Sequence, residues 1–221
     1  SSNEYILSII ENSNYGFFPT HELNKNTIVY NPQGGAQWTG ASVDPYKNIL
    51  YVTANQAPYL IKVKSNKIST SEIFKEYIFE LKLFKDLDGY PASKPPWGTI
   101  TAINLNSGKR IWQKPLGNYE SLKSKGIVTG TENYGGATAT SGGLVFAAGT
   151  LDKFIRAFDV ENGKELWSYK LPYIGSAPPT SYEINGEQYI VIPASGSTSL
   201  KMYYPDLVEQ GDAVVAFKIK N

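Results

Sequence analysis

Apolar residues in this chain fall in short runs rather than long stripes. Ile49-Leu50-Tyr51-Val52, Leu144-Val145-Phe146-Ala147 and Tyr189-Ile190-Val191-Ile192 are rich in β-branched and aromatic side chains and are bounded by polar and turn residues. Runs of this kind predict strands. Ahead of each lies a stretch with many small residues: Trp38 to Val43, Tyr134 to Ala139, and Pro178 to Tyr182. Behind each lies a third signal. Ala102-Ile103-Asn104-Leu105-Asn106-Ser107-Gly108-Lys109-Arg110-Ile111-Trp112 matches Ala157-Phe158-Asp159-Val160-Glu161-Asn162-Gly163-Lys164-Glu165-Leu166-Trp167, with Ala, Gly, Lys and Trp recurring at an offset of 55. Ala216-Phe217-Lys218-Ile219 begins a further copy. Each copy reads as a strand, a tight turn with Gly in the positive-φ position, and a strand carrying Trp.

The repeat therefore has four strands per unit, which predicts an all-β propeller. The small-residue strand stands innermost, where blades crowd the axis. Trp112 and Trp167 then pack between neighbouring blades. The chain holds about three to four blades, whereas closed propellers have about four to eight. Residues 1–33 are expected to be a partial blade or an N-terminal tail, and 34–221 to be blades. Leu50 and Ala102 stand 52 positions apart, against 12 for Val145 and Ala157. The excess predicts an insertion over about 64–93. Within it, Ser69-Thr70-Ser71-Glu72 has the form of a capping box. Phe74, Tyr77, Ile78, Leu81 and Phe84 follow helical spacing, which predicts an amphipathic helix over 70–86 docked on its own chain.

Composition narrows the chemistry. The 21 basic residues nearly cancel the 20 acidic ones, for a net charge of +1. That argues against a nucleic-acid partner, which needs a basic stripe. Cys is absent and His21 is the one histidine. Thiol nucleophiles, Cys or multi-His metal sites and covalently attached haem are thereby excluded from this chain.

An ordered set of motifs resembles the C-terminal portion of pyrroloquinoline quinone (PQQ)-dependent dehydrogenases. It runs from Gly34-Gly35-Ala36-Gln37-Trp38 through Gly89-Tyr90-Pro91-Ala92, Lys94-Pro95-Pro96-Trp97-Gly98-Thr99 and Gly130-Thr131-Glu132-Asn133-Tyr134-Gly135-Gly136. It continues through Gly142 to Phe146, Arg156 to Asp159, Gly163 to Trp167 and Gly211-Asp212-Ala213. The match covers about residues 28–220 and looks most like the glucose- and polyol-type branch.

The resemblance implies an eight-bladed quinoprotein-type propeller of which this chain is the C-terminal part. It implies oxidation of alcohol or aldose/polyol substrates with PQQ, and electron transfer to a quinone or cytochrome. It implies a periplasmic protein, with any membrane association made through a region upstream of Ser1. PQQ is a flat ortho-quinone with several carboxylates, served by stacking partners, donors and a hard cation such as Ca²⁺. In the family these groups gather on loops leading into innermost strands, here 34–40, 130–136 and 175–180. The resemblance places Gln37, Trp38, Tyr134, Gly135 and Gly136 near the cofactor. Gln37 stands where the family commonly has Asn. Lys94 and Trp97 flank the substrate mouth. No catalytic residue and no metal ligand of the family is matched; the base and the Ca²⁺ ligands are expected outside this chain. Asp44 and Asp159 read as turn caps. Glu132 is read as helping its loop hydrogen-bond, or as an acidic group at the mouth.

The alternative function is a non-catalytic propeller of the same repeat type that serves as a protein-binding scaffold. The blade motifs suit either reading; the lead-in loops suit the enzyme. Open blade edges predict association with missing N-terminal blades or with oligomer mates.

Overall fold

The computed structural model describes residues 1–65 and 77–218. In chain order the first elements are α1 (Ser2–Glu11), β1 (Ser13–Asn14), β2 (Asn26–Tyr30), β3 (Ser42–Asp44), β4 (Ile49–Asn55), β5 (Pro58–Ser65) and β6 (Tyr77–Leu83). Then come β7 (Gly98–Asn104), β8 (Arg110–Pro115), α2 (Glu120–Lys123), β9 (Ala137–Ala139), β10 (Leu144–Ala147), β11 (Phe154–Asp159) and β12 (Glu165–Lys170). The last are β13 (Thr180–Ile184), β14 (Glu187–Ala194), α3 (Thr198–Tyr203) and β15 (Ala213–Lys218).

The chain divides into two compact units. Ser1–Gly35 and Gln56–Lys94 form one; Ala36–Asn55 and Pro95–Asn221 form the other. The first unit holds one sheet in the order β1-β2-β5-β6. α1 starts on a capping box in which the Ser1 hydroxyl accepts from the Glu4 amide and the Glu4 carboxylate answers the terminal ammonium. Residues 1–33, read as a partial blade or tail, thus share a sheet with the stretch read as an insertion.

That stretch corrects the helix expected over 70–86. Residues 77–83 are strand β6, paired antiparallel with β5 from Tyr59↔Leu83 to Ser65↔Tyr77; the expected residues 70–76 lie outside the described residues. The physical reason is that Tyr77, Phe79, Leu81 and Leu83 also alternate. An adjacent strand edge rewards that alternation, and tertiary pairing overrides a helical spacing of few residues.

The second unit holds three sheets: β3-β4-β7-β8, β9-β10-β11-β12 in the order β12-β11-β10-β9, and β13-β14-β15. All their pairings are antiparallel. The predicted all-β blades are observed. Local chemistry explains why the repeats fold alike. Asn104 Oδ1 accepts from the amides of Asn106 and Ser107, and Asp159 Oδ1 accepts from those of Glu161 and Asn162. Gly108 and Gly163 follow at φ +67 and +69. These are Asx turns closed by a left-handed glycine. A register shift follows at matching positions, between Ala102 and Ile103 and between Ala157 and Phe158. Asp44 caps its turn likewise, accepting from Tyr46 and Lys47.

Neighbouring sheets meet at both ends of the blade. At the inner end, the Ala139 amide donates to Ser42 Oγ and the Thr138 hydroxyl donates to Pro179 O. At the outer end, Trp112 of β8 lies against the next sheet's turn and its indole donates to Val160 O at 2.9 Å. Tyr51, Ile100, Leu116, Val145 and Phe158 complete that core.

Candidate functional site

Three loops lead into the innermost strands β3, β9 and β13, and they converge on one glycine. A Cβ at Gly136 would stand 2.8 Å from Pro178 Cγ and 3.3 Å from Gly40 O. Residue 136 therefore has chain from all three loops around it, and no larger side chain fits. Gly135 is as tightly placed: its Cβ would come within 2.5 Å of Ala148 O, opposite Gly149. The Gly135 carbonyl accepts from Thr53 Oγ1 at 2.9 Å. Both glycines are thus required by chain meeting chain.

Gln37 is buried, and its amide N–H donates to Thr53 O. Its side-chain oxygen has no hydrogen-bond partner, and neither do Thr39 Oγ1, Asn133 Oδ1 and Ser176 Oγ. All four atoms lie on the three lead-in loops. A buried polar atom without a partner costs about 1–3 kcal/mol. The loops therefore carry hydrogen-bonding capacity that the chain itself does not use. Trp38 is exposed over 78% of its surface, the next residue along from buried Gln37. Tyr134 is buried, and its amide donates to Gly149 O.

The two residues read as flanking the mouth fall in different units. Lys94 closes the first unit and is exposed. Trp97 belongs to the second, is buried, and meets Tyr119 edge-on at 5.4 Å between ring centres.

Two sets of contacts are not legible in the sequence. Asn55 and Asn133 lock the middle loop to the end of β4: the Asn133 amide donates to Asn55 Oδ1 at 2.8 Å and Asn55 Nδ2 donates to Asn133 O at 3.0 Å. Tyr204 donates to Glu132 Oε2, and the Tyr119 hydroxyl lies against both the Tyr204 hydroxyl and that oxygen. These partners are separated by tens of positions, and no local spacing points to them. Among the described residues, no group of three or more His, Cys, Asp or Glu could hold a metal ion.

The family model described as "PQQ: Glucose/ethanol/alcohol dehydrogenase, beta-propeller domain" matches residues 4–190. The chain belongs to this family. It is 30% identical to quinoprotein glucose dehydrogenase A of Acinetobacter calcoaceticus, over 93% of this chain and 28% of that protein. It is 33% identical to the glycerol dehydrogenase large subunit of Gluconobacter thailandicus, over 90% of this chain and 32% of that protein. The chain thus spans about a third or less of these relatives. The quinohemoprotein alcohol dehydrogenase of Comamonas testosteroni shares the fold, with a TM-score of 0.58 at 19% identity over 88% of this chain and 28% of that one. The propeller read from the repeats is therefore the fold of this dehydrogenase family.

Proposed function

We propose that this chain is part of a quinoprotein dehydrogenase that oxidises an alcohol or an aldose or polyol with PQQ. Electrons then pass to a quinone or cytochrome. The observation that carries the reading is the convergence of three lead-in loops at Gly136, with four buried polar atoms left unpartnered on them. PQQ presents carbonyl and carboxylate acceptors on a flat ring. Thr39 and Ser176 can donate hydroxyl protons to such acceptors, whereas the unpartnered Gln37 and Asn133 oxygens can only accept. The residues fit the uncharged part of the cofactor. The three loops contain no Lys or Arg. Neutralising the carboxylates falls to residues beyond these three loops, and on the family resemblance we assign the Ca²⁺ ligands and the base that takes the substrate proton to residues outside this chain.

When bound, PQQ would supply the two-electron oxidant, both electrons arriving with the substrate's hydride. This chain's residues orient and dehydrate that group. Gly135 and Gly136 set the floor where the loops meet. Exposed Trp38 offers a flat face for stacking. Reduced cofactor requires an external acceptor. The names of the relatives favour this redox reading over a scaffold. We place the protein in the periplasm on the same resemblance.

The test is reconstitution of the full-length protein with PQQ and Ca²⁺, followed by dye reduction with aldoses, polyols and short alcohols. The expected result is PQQ binding at micromolar concentration or tighter and cofactor-dependent turnover. Failure to bind PQQ would overturn the reading. Recovery in a cytoplasmic fraction would overturn the placement.

A further inference from the structure

One buried carboxyl and two buried phenols meet beside the lead-in loop of β9. Glu132 is wholly buried, and Tyr119 and Tyr204 are buried with it. The Tyr204 hydroxyl donates to Glu132 Oε2 at 2.9 Å, and the Tyr119 hydroxyl lies 3.4 Å from the same oxygen. The two phenol oxygens stand 2.6 Å apart. Three separate segments meet here. Tyr119 is the residue before α2, Tyr204 the residue after α3, and Glu132 leads toward β9.

The short helices cannot hold themselves. α2 has four residues and α3 has six, far below the length at which a helix is stable alone. Their placement depends on tertiary contacts. On its other side Glu132 adjoins Asn133, which is bonded to Asn55, and then Tyr134, bonded to Gly149. Two residues beyond Tyr134 is Gly136, where the loops converge. Glu132 therefore links the convergence point to two outlying segments.

We propose that Glu132 is a positioning residue: with Tyr119 and Tyr204 it latches the Thr131–Gly136 loop in the form that receives the cofactor. The ligand's identity rests on the PQQ reading above; the latch itself rests on the geometry. Tyr204 is suited to constant donation. Burial, and then the neighbouring Glu132 charge, hold the Tyr204 hydroxyl well above its ordinary titration range. A loop held in its bound form lowers the cost of binding. The effect of the latch therefore falls on cofactor affinity, not on turnover once the cofactor is seated.

The experiment uses the full-length protein, compared with Glu132→Gln, Tyr204→Phe and Tyr119→Phe. Glu209→Gln, at an exposed carboxylate, is the control. Amide hydrogen exchange in cofactor-free protein follows Thr131, Asn133 and Tyr134, whose N–H groups are bonded in the closed loop. PQQ titration gives affinity, and kcat is read at saturating PQQ. Glu132→Gln and Tyr204→Phe are expected to speed exchange at those amides roughly tenfold or more, as loss of a bond to a charged group implies. PQQ affinity should fall by a similar factor, with kcat within about twofold of wild type. Tyr204→Phe removes one oxygen and keeps the ring, so it decides the matter if Glu132→Gln does not fold. A lowered melting temperature without local exchange or an affinity change overturns the latch, because it marks a merely structural role. If wild type binds no PQQ, the functional reading fails alone; exchange confined to the loop still supports the latch, and uniform exchange overturns it.

Discussion

The second unit contains two seams built from one motif, and they differ. Trp112 joins its sheet to the β9–β12 sheet; Trp167 joins that sheet to β13–β15. The two tryptophans occupy equivalent places in the repeat. Trp112 is 7% exposed and Trp167 39%. Under Trp112 lies the Gly163 turn, so close that a Cβ there would be 2.6 Å from the indole. Val160 O takes its N–H, and Tyr51 OH lies 3.4 Å from the same oxygen. Trp167 meets Phe217 edge-on at 5.1 Å and stacks with Tyr169. A groove of about 610 Å³, bounded by Leu144, Phe146, Ile190 and Phe217 among others, opens beside it. The motif delivers a tryptophan to the seam; the neighbouring sheet decides how much it stabilises.

The largest expected effect tests that statement directly. Trp112→Ala should cost about 3–5 kcal/mol in denaturant unfolding, as loss of a buried aromatic does. It also strips Val160 O of its indole donor. Trp167→Ala should cost about two-thirds as much, since apolar stabilisation follows the area kept from water. Equal losses at the two sites would break the comparison.

The glycine turns sharpen it further. Gly163 and Gly108 have nearly the same positive φ, yet a Cβ at Gly108 meets nothing within 4 Å. Gly108→Ala should cost about 1–2 kcal/mol for the left-handed backbone alone. Gly163→Ala should add about 1–3 kcal/mol of overpacking against Trp112. A Trp112→Ala background should erase that excess, and a double-mutant cycle measures it.

The smallest effect is confined to alkaline pH. Burial, followed by the charges of Asp44, Asp159 and Glu161, raises Tyr51 to about 12. Its folded-state value exceeds the unfolded value of 10.0. The folded state therefore holds the proton longer. This contribution is complete below pH 10 and is lost as pH rises toward 12. Tyr51→Phe should flatten the stability–pH curve in that window and leave neutral-pH behaviour little changed. An unaltered alkaline slope would show that Tyr51 is not its source.

Much of the fold was legible because its signals are local. Asn104-to-Gly108 and Asp159-to-Gly163 each close a turn within a few residues, so their repetition announced the blades. The lead-in loops were legible through the same register, and the family resemblance picked out Gln37 and Gly136 on them. The strand at 77–83 was not legible. Tyr77, Ile78 and Leu81 satisfy a helical spacing as well as a pleated one, and the deciding partner is β5. Lys94 and Trp97, three positions apart, belong to different compact units. Glu132 was noticed, but its phenol partners were not.

By itself the sequence determined the repeat: where strands begin and turn, and which residue type stands at each seam. Those choices rest on backbone torsions and on hydrogen bonds between near neighbours. Tertiary structure alone decided which tryptophan is sealed, which apolar run becomes a strand, and which tyrosines reach Glu132. Each of these depends on surfaces brought together from distant parts of the chain, and burial and pairing energies exist only once those surfaces meet.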